Sequence, residues 1–157
     1  MAAERRAPRR LAHRSADGRP GIRGTVAHSE LSEELPTRIE RLHHVQLAMP
    51  EGGELRAREF YQGLLGIPEV PKPPAMAQRG GCWFERGELR IHLGVEADFR
   101  PARKAHPALV VDGLHTLADA LRACGYACRE DAGLEGCQRM FVEDPFGNRL
   151  ELMQLTA

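Results

Sequence analysis

Residues 141–155 read F-V-E-D-P-F-G-N-R-L-E-L-M-Q-L, so two apolar runs enclose the sequence Asp-Pro-Phe-Gly-Asn at 144–148. This is turn chemistry, because proline fixes φ, glycine accepts positive φ, and Asp and Asn hydrogen bond their own backbone. The stretch therefore predicts a β-hairpin. In its second strand, Glu151 points to the opposite face from Leu150 and Leu152. A carboxylate on the enclosed face of a sheet needs a partner, because an unpaired buried charge is costly.

The length and composition of the chain limit the kinds of protein it can be. It has 157 residues, of which 22 are basic and 22 acidic, so its formal net charge is zero. This length is enough for one domain with a real core. The balanced charge argues against nucleic acid or an anionic membrane as the main partner, and no apolar run is long enough to predict a transmembrane helix. The four cysteines have no zinc-finger spacing and no secretory signal precedes them, so we expect reduced thiols and a cytoplasmic location.

Residues 1–38 differ from the rest of the chain. They are rich in Arg, Pro and Gly and contain almost no large apolar residue. Such a segment cannot bury enough surface to offset the entropy of ordering it. We therefore predict a disordered extension at 1–38 and one folded domain at 39–157. An Arg-rich transit peptide and an over-extended gene start are the alternatives for the extension.

The folded part reads as two copies of one β-α-β-β-β unit, at about 41–96 and about 106–155. Their first strands, and likewise their last strands, are separated by about 60 residues, which indicates an internal duplication. The pattern predicts an α+β protein. The predicted strands lie at 41–50, 80–85, 89–95, 106–111, 127–131, 137–143 and 149–154.

Each unit has one predicted amphipathic helix, at 54–65 and 114–124. In both, apolar residues recur at helical spacing and a glycine follows the last of them. Residues 69–74 are rich in proline and predict an extended edge or a loop. The apolar positions that define the first helix are Leu55, Phe60, Leu64 and Leu65.

Alternation within the strands indicates four candidate metal ligands. His44, His92 and Glu151 lie opposite the apolar residues of their strands, while the strand that begins at His106 is apolar on both faces. Imidazole nitrogens and a carboxylate oxygen suit one divalent metal ion such as Zn, Ni, Mn, Co or Fe(II). A lone His or Glu on a strand is more commonly a surface or structural residue. The hypothesis depends on the repeated position of these four in equivalent strands.

Further side chains share the predicted cavity face. Trp83 and Phe141 are suited to form an apolar wall against a small-molecule substrate, and Arg90 or Arg139 to hold a carboxylate. Gln46 lies on the same face of its strand.

Other charged residues are more simply explained as surface. Glu85 shares the cavity face, but we favour packing or surface charge for it. The polar connection at 96–105 contains three cations that are suited to bind an anion, although such a run is more commonly a solvated connection. These cations are Arg100, Arg103 and Lys104.

These motifs resemble the vicinal oxygen chelate superfamily, which includes glyoxalases, extradiol dioxygenases, methylmalonyl-CoA epimerases and the fosfomycin- and bleomycin-resistance proteins. The matching stretches are H-V-Q-L-A at 44–48, F-Y-Q-G-L-L-G at 60–66 and D-P-F-G-N-R-L-E at 144–151. The likeness extends over about 41–155. It implies a pair of βαβββ modules that form an open eight-stranded mixed barrel of glyoxalase-like type around a metal.

By motif position, the resemblance places His44, His106 and Glu151 at the family's usual first, third and fourth ligand positions. His92 occupies the second, which is typically Glu in glyoxalases and Gln in the epimerases, and which supplies no ligand in dioxygenases. His92 is therefore either a ligand or an acid or base beside the metal. Many relatives are dimers, and some complete each metal site with strands from two chains, so we expect a homodimer.

The resemblance implies a metal-dependent, glyoxalase-like isomerase or lyase, in which the metal chelates a small oxygenated substrate and stabilises an enolate. Glu151, or a metal-bound water, would be the base. One alternative is an Fe(II) extradiol-type dioxygenase with His92 as an acid or base that does not touch the metal. The other is a metal-free protein, similar to bleomycin resistance proteins, that sequesters a drug or metabolite. Four potential ligands argue against the latter, since a sequestering pocket has no need of them.

Overall fold

The computed structural model describes residues 37–156. The disordered extension predicted for 1–38 thus lies, apart from its last two residues, outside the described part. The helices are α1 (Glu54–Ala57), which continues as a π-helix (Arg58–Leu64), α2 (Pro74–Ala77) and α3 (Leu114–Ala123). The strands are β1 Val45–Met49, β2 Glu69–Val70, β3 Cys82–Arg86, β4 Leu89–Val95, β5 Ala108–Val110, β6 Arg129–Asp131, β7 Cys137–Glu143 and β8 Arg149–Leu155.

The strands form two four-stranded sheets with matching topology. Sheet A has the order β1-β4-β3-β2, and sheet B has the order β5-β8-β7-β6. In each sheet the first strand pairs in parallel with the last, and the other neighbours are antiparallel. A parallel pair needs a crossover, which the helix after the first strand begins. The predicted α+β class and the two glyoxalase-like βαβββ modules are therefore confirmed. Within 37–156, no helix is long and apolar enough to cross a membrane.

Alternation along the strands separates the core from the opposite face. Ile91 and Leu93 of β4 and Leu150 and Leu152 of β8 are each at most 2% exposed. Burying such a side chain stabilises a fold by about 1.5–3 kcal/mol. The helices cover this side of the sheets with Phe60, Tyr61, Leu114, Ala118 and Leu121, which are all fully buried. The intervening residues of β4 and β8 point to the other face, where the candidate ligands lie.

The first helix differs from the prediction. The spacing predicts one α-helix with Leu55 in the core, but Leu55 is 65% exposed, whereas Ala57, Phe60 and Tyr61 are fully buried. The buried residues lie at helical spacing i, i+3 and i+4, and Leu55, two residues before Ala57, points away from that face. The helix also ends as a π-helix, in which the amide of Leu65 bonds the carbonyl of Phe60, five residues earlier.

Several strand boundaries also differ; β3 and β6, for example, each begin two residues later than predicted. The strands predicted at 41–50 and 106–111 are shorter, because β1 begins at Val45 and β5 at Ala108. Pro107 has no N–H for the ladder, which explains the late start of β5. The extended segment predicted at 69–74 is instead the short strand β2 followed by α2, whose first turn begins at Pro74, a position where the fixed φ of proline is favourable.

The turn at 144–148 joins the two modules. Asp144 Oδ1 accepts hydrogen bonds from the backbone amides of Phe146 at 2.8 Å and Asn148 at 2.9 Å. Asp144 Oδ2 accepts one from the hydroxyl of Tyr61, in the first module, at 2.8 Å. The side-chain amide of Asn148 donates to the carbonyl of Ala48 in β1, also at 2.8 Å. The turn that closes the second module is therefore bonded to the helix and the first strand of the first.

The cysteines should differ in reactivity. Burial raises the pKa of the Cys82 thiol to about 11, whereas Cys124 at the end of α3 is exposed. Because only the thiolate reacts, we expect iodoacetamide at pH 8 to modify Cys124 readily and Cys82 only after unfolding. Peptide mass spectrometry with and without denaturant measures this. Equal labelling of both cysteines in the folded protein would contradict the burial of Cys82.

Candidate functional site

The first half-site, called half-site A, consists of His44 and His92. Gln46 pairs with His92 in the register of β1 and β4, and His44, two residues earlier, points to the same face. The rings of His44 and His92 stack with centroids 4.4 Å apart. Trp83, the cross-strand partner of His92 in β3, stacks on it with centroids 4.1 Å apart and an interplanar angle of 5°. His92 is thus held between two rings and is only 4% exposed.

Glu85 determines the orientation of His92. Its Oε1 atom lies 3.0 Å from His92 Nε2. An ionised carboxylate only accepts hydrogen bonds, so Nε2 carries the ring proton and Nδ1 keeps a lone pair. Burial lowers the pKa of His92 despite the hydrogen bond to Glu85, so the imidazole is neutral near neutral pH. The sequence favours surface charge for Glu85, whereas in the structure it holds a buried imidazole.

Arg90 and Gln46 complete the polar part of this face. Arg90 Nε is buried and has no hydrogen-bond partner among residues 37–156, and it lies 3.6 Å from Glu85 Oε2. A buried donor without a partner costs about 1–3 kcal/mol, so an acceptor on a bound molecule would be favourable here. Gln46 is exposed beside Gly94, where a Cβ would lie 2.8 Å from Gln46 Nε2. Glycine at this position therefore leaves room for the amide.

The second half-site, called half-site B, consists of His106 and Glu151. Ala108 pairs with Glu151 in the register of β5 and β8, and His106 lies two residues earlier, the same relation as in half-site A. His106 Nδ1 lies 2.7 Å from the carbonyl oxygen of Lys104, and Nε2 lies 3.0 Å from Glu151 Oε2. Both ring nitrogens therefore face acceptors. Both contacts are favourable together only if a proton or a metal ion lies between Nε2 and the carboxylate.

Arg139 is the other partner of Glu151. Its Nη1 donates to Glu151 Oε1 at 2.9 Å, and its Nε and Nη2 donate to Asp131 Oδ1 at 3.1 and 2.7 Å. These hydrogen bonds, first that to Glu151 and then that to Asp131, raise the pKa of Arg139. Two carboxylates therefore occupy its guanidinium. Of the two arginines that the sequence offers for a substrate carboxylate, Arg90 has the unused donor.

Phe141 lies beside half-site B and is surrounded by cations. Its ring meets that of His106 edge-on, with centroids 5.3 Å apart. The guanidinium carbons of Arg129, Arg139 and Arg149 lie 5.2, 5.7 and 5.7 Å from its centroid. Sequence reasoning missed Arg129 and Arg149. Alternation alone indicates Arg149, since it lies two residues before the glutamate of half-site B.

The two half-sites do not form one donor set within a chain. Among residues 37–156, no three His, Cys, Asp or Glu side chains are placed to hold one metal ion. The structure brings His44 to His92 and His106 to Glu151, but it does not bring the two pairs together. Each pair supplies donor types that bind divalent transition metals, and the contact between His106 and Glu151 favours a cation. The donor types present therefore suit a divalent metal ion, and within residues 37–156 each half-site supplies two of them.

The two βαβββ modules define the class of this protein. The chain belongs to the Glyoxalase/Bleomycin resistance protein/Dioxygenase superfamily, whose family model matches residues 41–152. The resemblance inferred from the motifs is thus confirmed. A similar solved structure is that of a glyoxalase family protein from Bacillus anthracis, with 41% identity and a TM-score of 0.74. The match covers 78% of this chain and 100% of the Bacillus anthracis chain.

Two further structures are similar in fold alone. A genomically encoded fosfomycin resistance protein from Listeria monocytogenes has 16% identity and a TM-score of 0.62, over 76% of this chain and 96% of its own. A lactoylglutathione lyase from Agrobacterium tumefaciens has 16% identity and a TM-score of 0.58, over 75% of this chain and 96% of its own. No curated protein matches the chain.

Proposed function

We propose that this protein is a metal-dependent enzyme of glyoxalase-like type, an isomerase or lyase acting on a small oxygenated substrate. The observation that carries the proposal is the geometry of half-site B. His106 directs Nδ1 to a backbone carbonyl at 2.7 Å and Nε2 to Glu151 at 3.0 Å. A histidine that binds a metal commonly donates its other N–H to a backbone carbonyl in this way.

The metal would be held by His44, His106 and Glu151, with His92 either as a fourth ligand or as an acid–base group beside it. When bound, it would supply Lewis-acid stabilisation of negative charge that develops on a substrate oxygen. The lactoylglutathione lyase and the fosfomycin resistance protein with the same fold are consistent with small-molecule chemistry in such a site.

The protein side chains suggest how the proton moves. Glu151 would be the base that takes a proton from the carbon next to a substrate carbonyl, with Arg139 orienting its carboxylate through Oε1 at 2.9 Å. His92 would accept or return a proton at Nδ1, because Glu85 holds its Nε2–H. Trp83 would shield this ring from water, and Arg90 Nε would bind a substrate oxygen.

The protein would act as a homodimer with shared sites. Strands β1 and β5 are at the edges of their sheets, and each begins within two residues of the histidine of a half-site. An edge strand presents unpaired N–H and C=O groups, and Val110 on β5 is 69% exposed. In a two-fold dimer, β1 of each chain would lie beside β5 of its partner. The exposed edges of all four strands would then be covered. The dimer would also bring half-site A of each chain to half-site B of its partner.

Metal content tests the proposal first. We expect about one equivalent of metal per chain in the purified protein, and its loss in Glu151→Ala, because the carboxylate is a charged ligand. Elemental mass spectrometry measures both. Iron would favour the dioxygenase alternative, whereas zinc, nickel, cobalt or manganese would support the isomerase or lyase. Retention of metal in His92→Ala would assign His92 to acid–base chemistry. A wild-type protein without metal, even after reloading, would overturn the proposal and leave the metal-free binding protein.

A further inference from the structure

We propose that Arg129 and Arg149, on either side of Phe141, form an oxyanion subsite next to half-site B, and that it binds a carboxylate or phosphate group of the substrate. The inference rests on the proposed function only in taking Glu151 as the place of reaction. It adds a substrate class, because a small oxygenated substrate would then carry an anionic group away from the reacting carbon.

The sheet geometry places both arginines around one ring. Phe141 is on β7, Arg129 is its direct partner on β6, and Arg149 is on β8, so the two approach from neighbouring strands. Their guanidinium carbons lie 5.2 and 5.7 Å from the ring centroid, within the usual range of a cation–π contact. Phe141 also pairs with Glu151. All four side chains therefore lie on the same face of sheet B, and the subsite adjoins the half-site.

Two of the three arginines around Phe141 form no ion pair within the described part of the chain. Arg139, the third arginine at this ring, forms ion pairs with Asp131 and Glu151. Within residues 37–156, by contrast, Arg129 and Arg149 form no ion pair. A carboxylate or phosphate that reaches both guanidinium groups would accept charge-assisted hydrogen bonds from each of them.

A cavity of about 580 Å³ opens between these arginines, which is in the range of pockets for small molecules. Tyr126 and Phe141 give it an aromatic wall. The wall also carries three carboxylates and a third arginine, Arg56. The Asp144 carboxylate is occupied by internal hydrogen bonds, and Glu59 and Glu143 are exposed to solvent. Glu143 is the cross-strand partner of Arg149, but the two form no ion pair. The cavity therefore combines two arginines that form no ion pair with an apolar surface.

The test is a titration of the full-length, ¹⁵N-labelled protein with inorganic phosphate and, separately, with acetate at constant ionic strength. We expect saturable shifts of the Nε–Hε resonances of Arg129 and Arg149, which single Arg→Gln variants assign. The double variant R129Q/R149Q should bind at least about tenfold more weakly. Arg79→Gln, which removes an exposed arginine of the other module, should leave binding unchanged. Tighter binding of phosphate would indicate a phosphorylated substrate, and tighter binding of acetate a carboxylic acid.

Two results would overturn the inference: shifts that do not saturate, or equal weakening in Arg79→Gln and in the double variant. Circular dichroism of each variant controls for folding, and Arg129→Lys with Arg149→Lys, which keep the charge, should retain part of the binding. The titration reports on two named side chains and needs neither metal nor turnover. Its failure is therefore distinguishable from a failure of the metal-content experiment.

Discussion

Replacing Asp144 by alanine is expected to lower the free energy of unfolding by about 3–5 kcal/mol. The side chain is only 4% exposed, and its carboxylate accepts four hydrogen bonds: from the Tyr61 hydroxyl, the backbone amides of Phe146 and Asn148, and the Asn148 side chain. Alanine would leave all these donors without an acceptor. The variant should also weaken the contact between the two modules, since Tyr61 belongs to the first module and the turn to the second.

Urea denaturation followed by Trp83 fluorescence measures this loss. Tyr61→Phe removes one of the four hydrogen bonds and keeps the packing, so it should cost about 1 kcal/mol. Asp119→Ala is the matched control, because Asp119 forms an exposed ion pair with Arg122 on α3 and should contribute less than about 1 kcal/mol. A loss for Asp144→Ala no larger than that of the control would show that the carboxylate does not hold the turn.

Asp144 also illustrates what the sequence can predict. The residues at 144–148 specify a turn through their own backbone preferences, and alternation in the flanking strands separates Leu150 from Glu151 without knowledge of the fold. The duplication then predicts both modules. The π-helix at Arg58–Leu64 is different, because the spacing of apolar side chains does not distinguish one π turn from an α-helix.

The residues of the candidate site, like the elements of the fold, could be predicted only in part. Alternation indicates His44, His92 and Glu151, since each depends only on its own strand. Asp131 and Arg129 could not be predicted, because their contacts depend on the register between β6 and β7, which one sequence does not determine. For the same reason the sequence cannot show whether the two half-sites meet within a chain. That depends on how one sheet lies relative to another.

A mixed dimer of two defective chains is expected to regain metal. His44→Ala damages half-site A and Glu151→Ala damages half-site B, so in a shared-site homodimer of either variant both sites lack a donor. In the heterodimer, one site combines His44 of the Glu151→Ala chain with Glu151 of the His44→Ala chain and is intact. We expect about half the wild-type metal content there and close to none in either homodimer. Co-expression with two affinity tags, tandem purification and elemental mass spectrometry give this value.

The reciprocal heterodimer makes the experiment decisive. It pairs a wild-type chain with a chain that carries both His44→Ala and Glu151→Ala, so it contains the same two substitutions as the first heterodimer. With shared sites, each site takes one damaged half from the double variant, and metal should be lost. With sites inside single chains, the wild-type chain keeps its own site, so this heterodimer would hold about half the metal while the first would hold none. The two arrangements therefore predict opposite outcomes for chains of identical composition. Gel filtration with light scattering confirms the dimer in each case, and a monomer that retains metal would exclude shared sites.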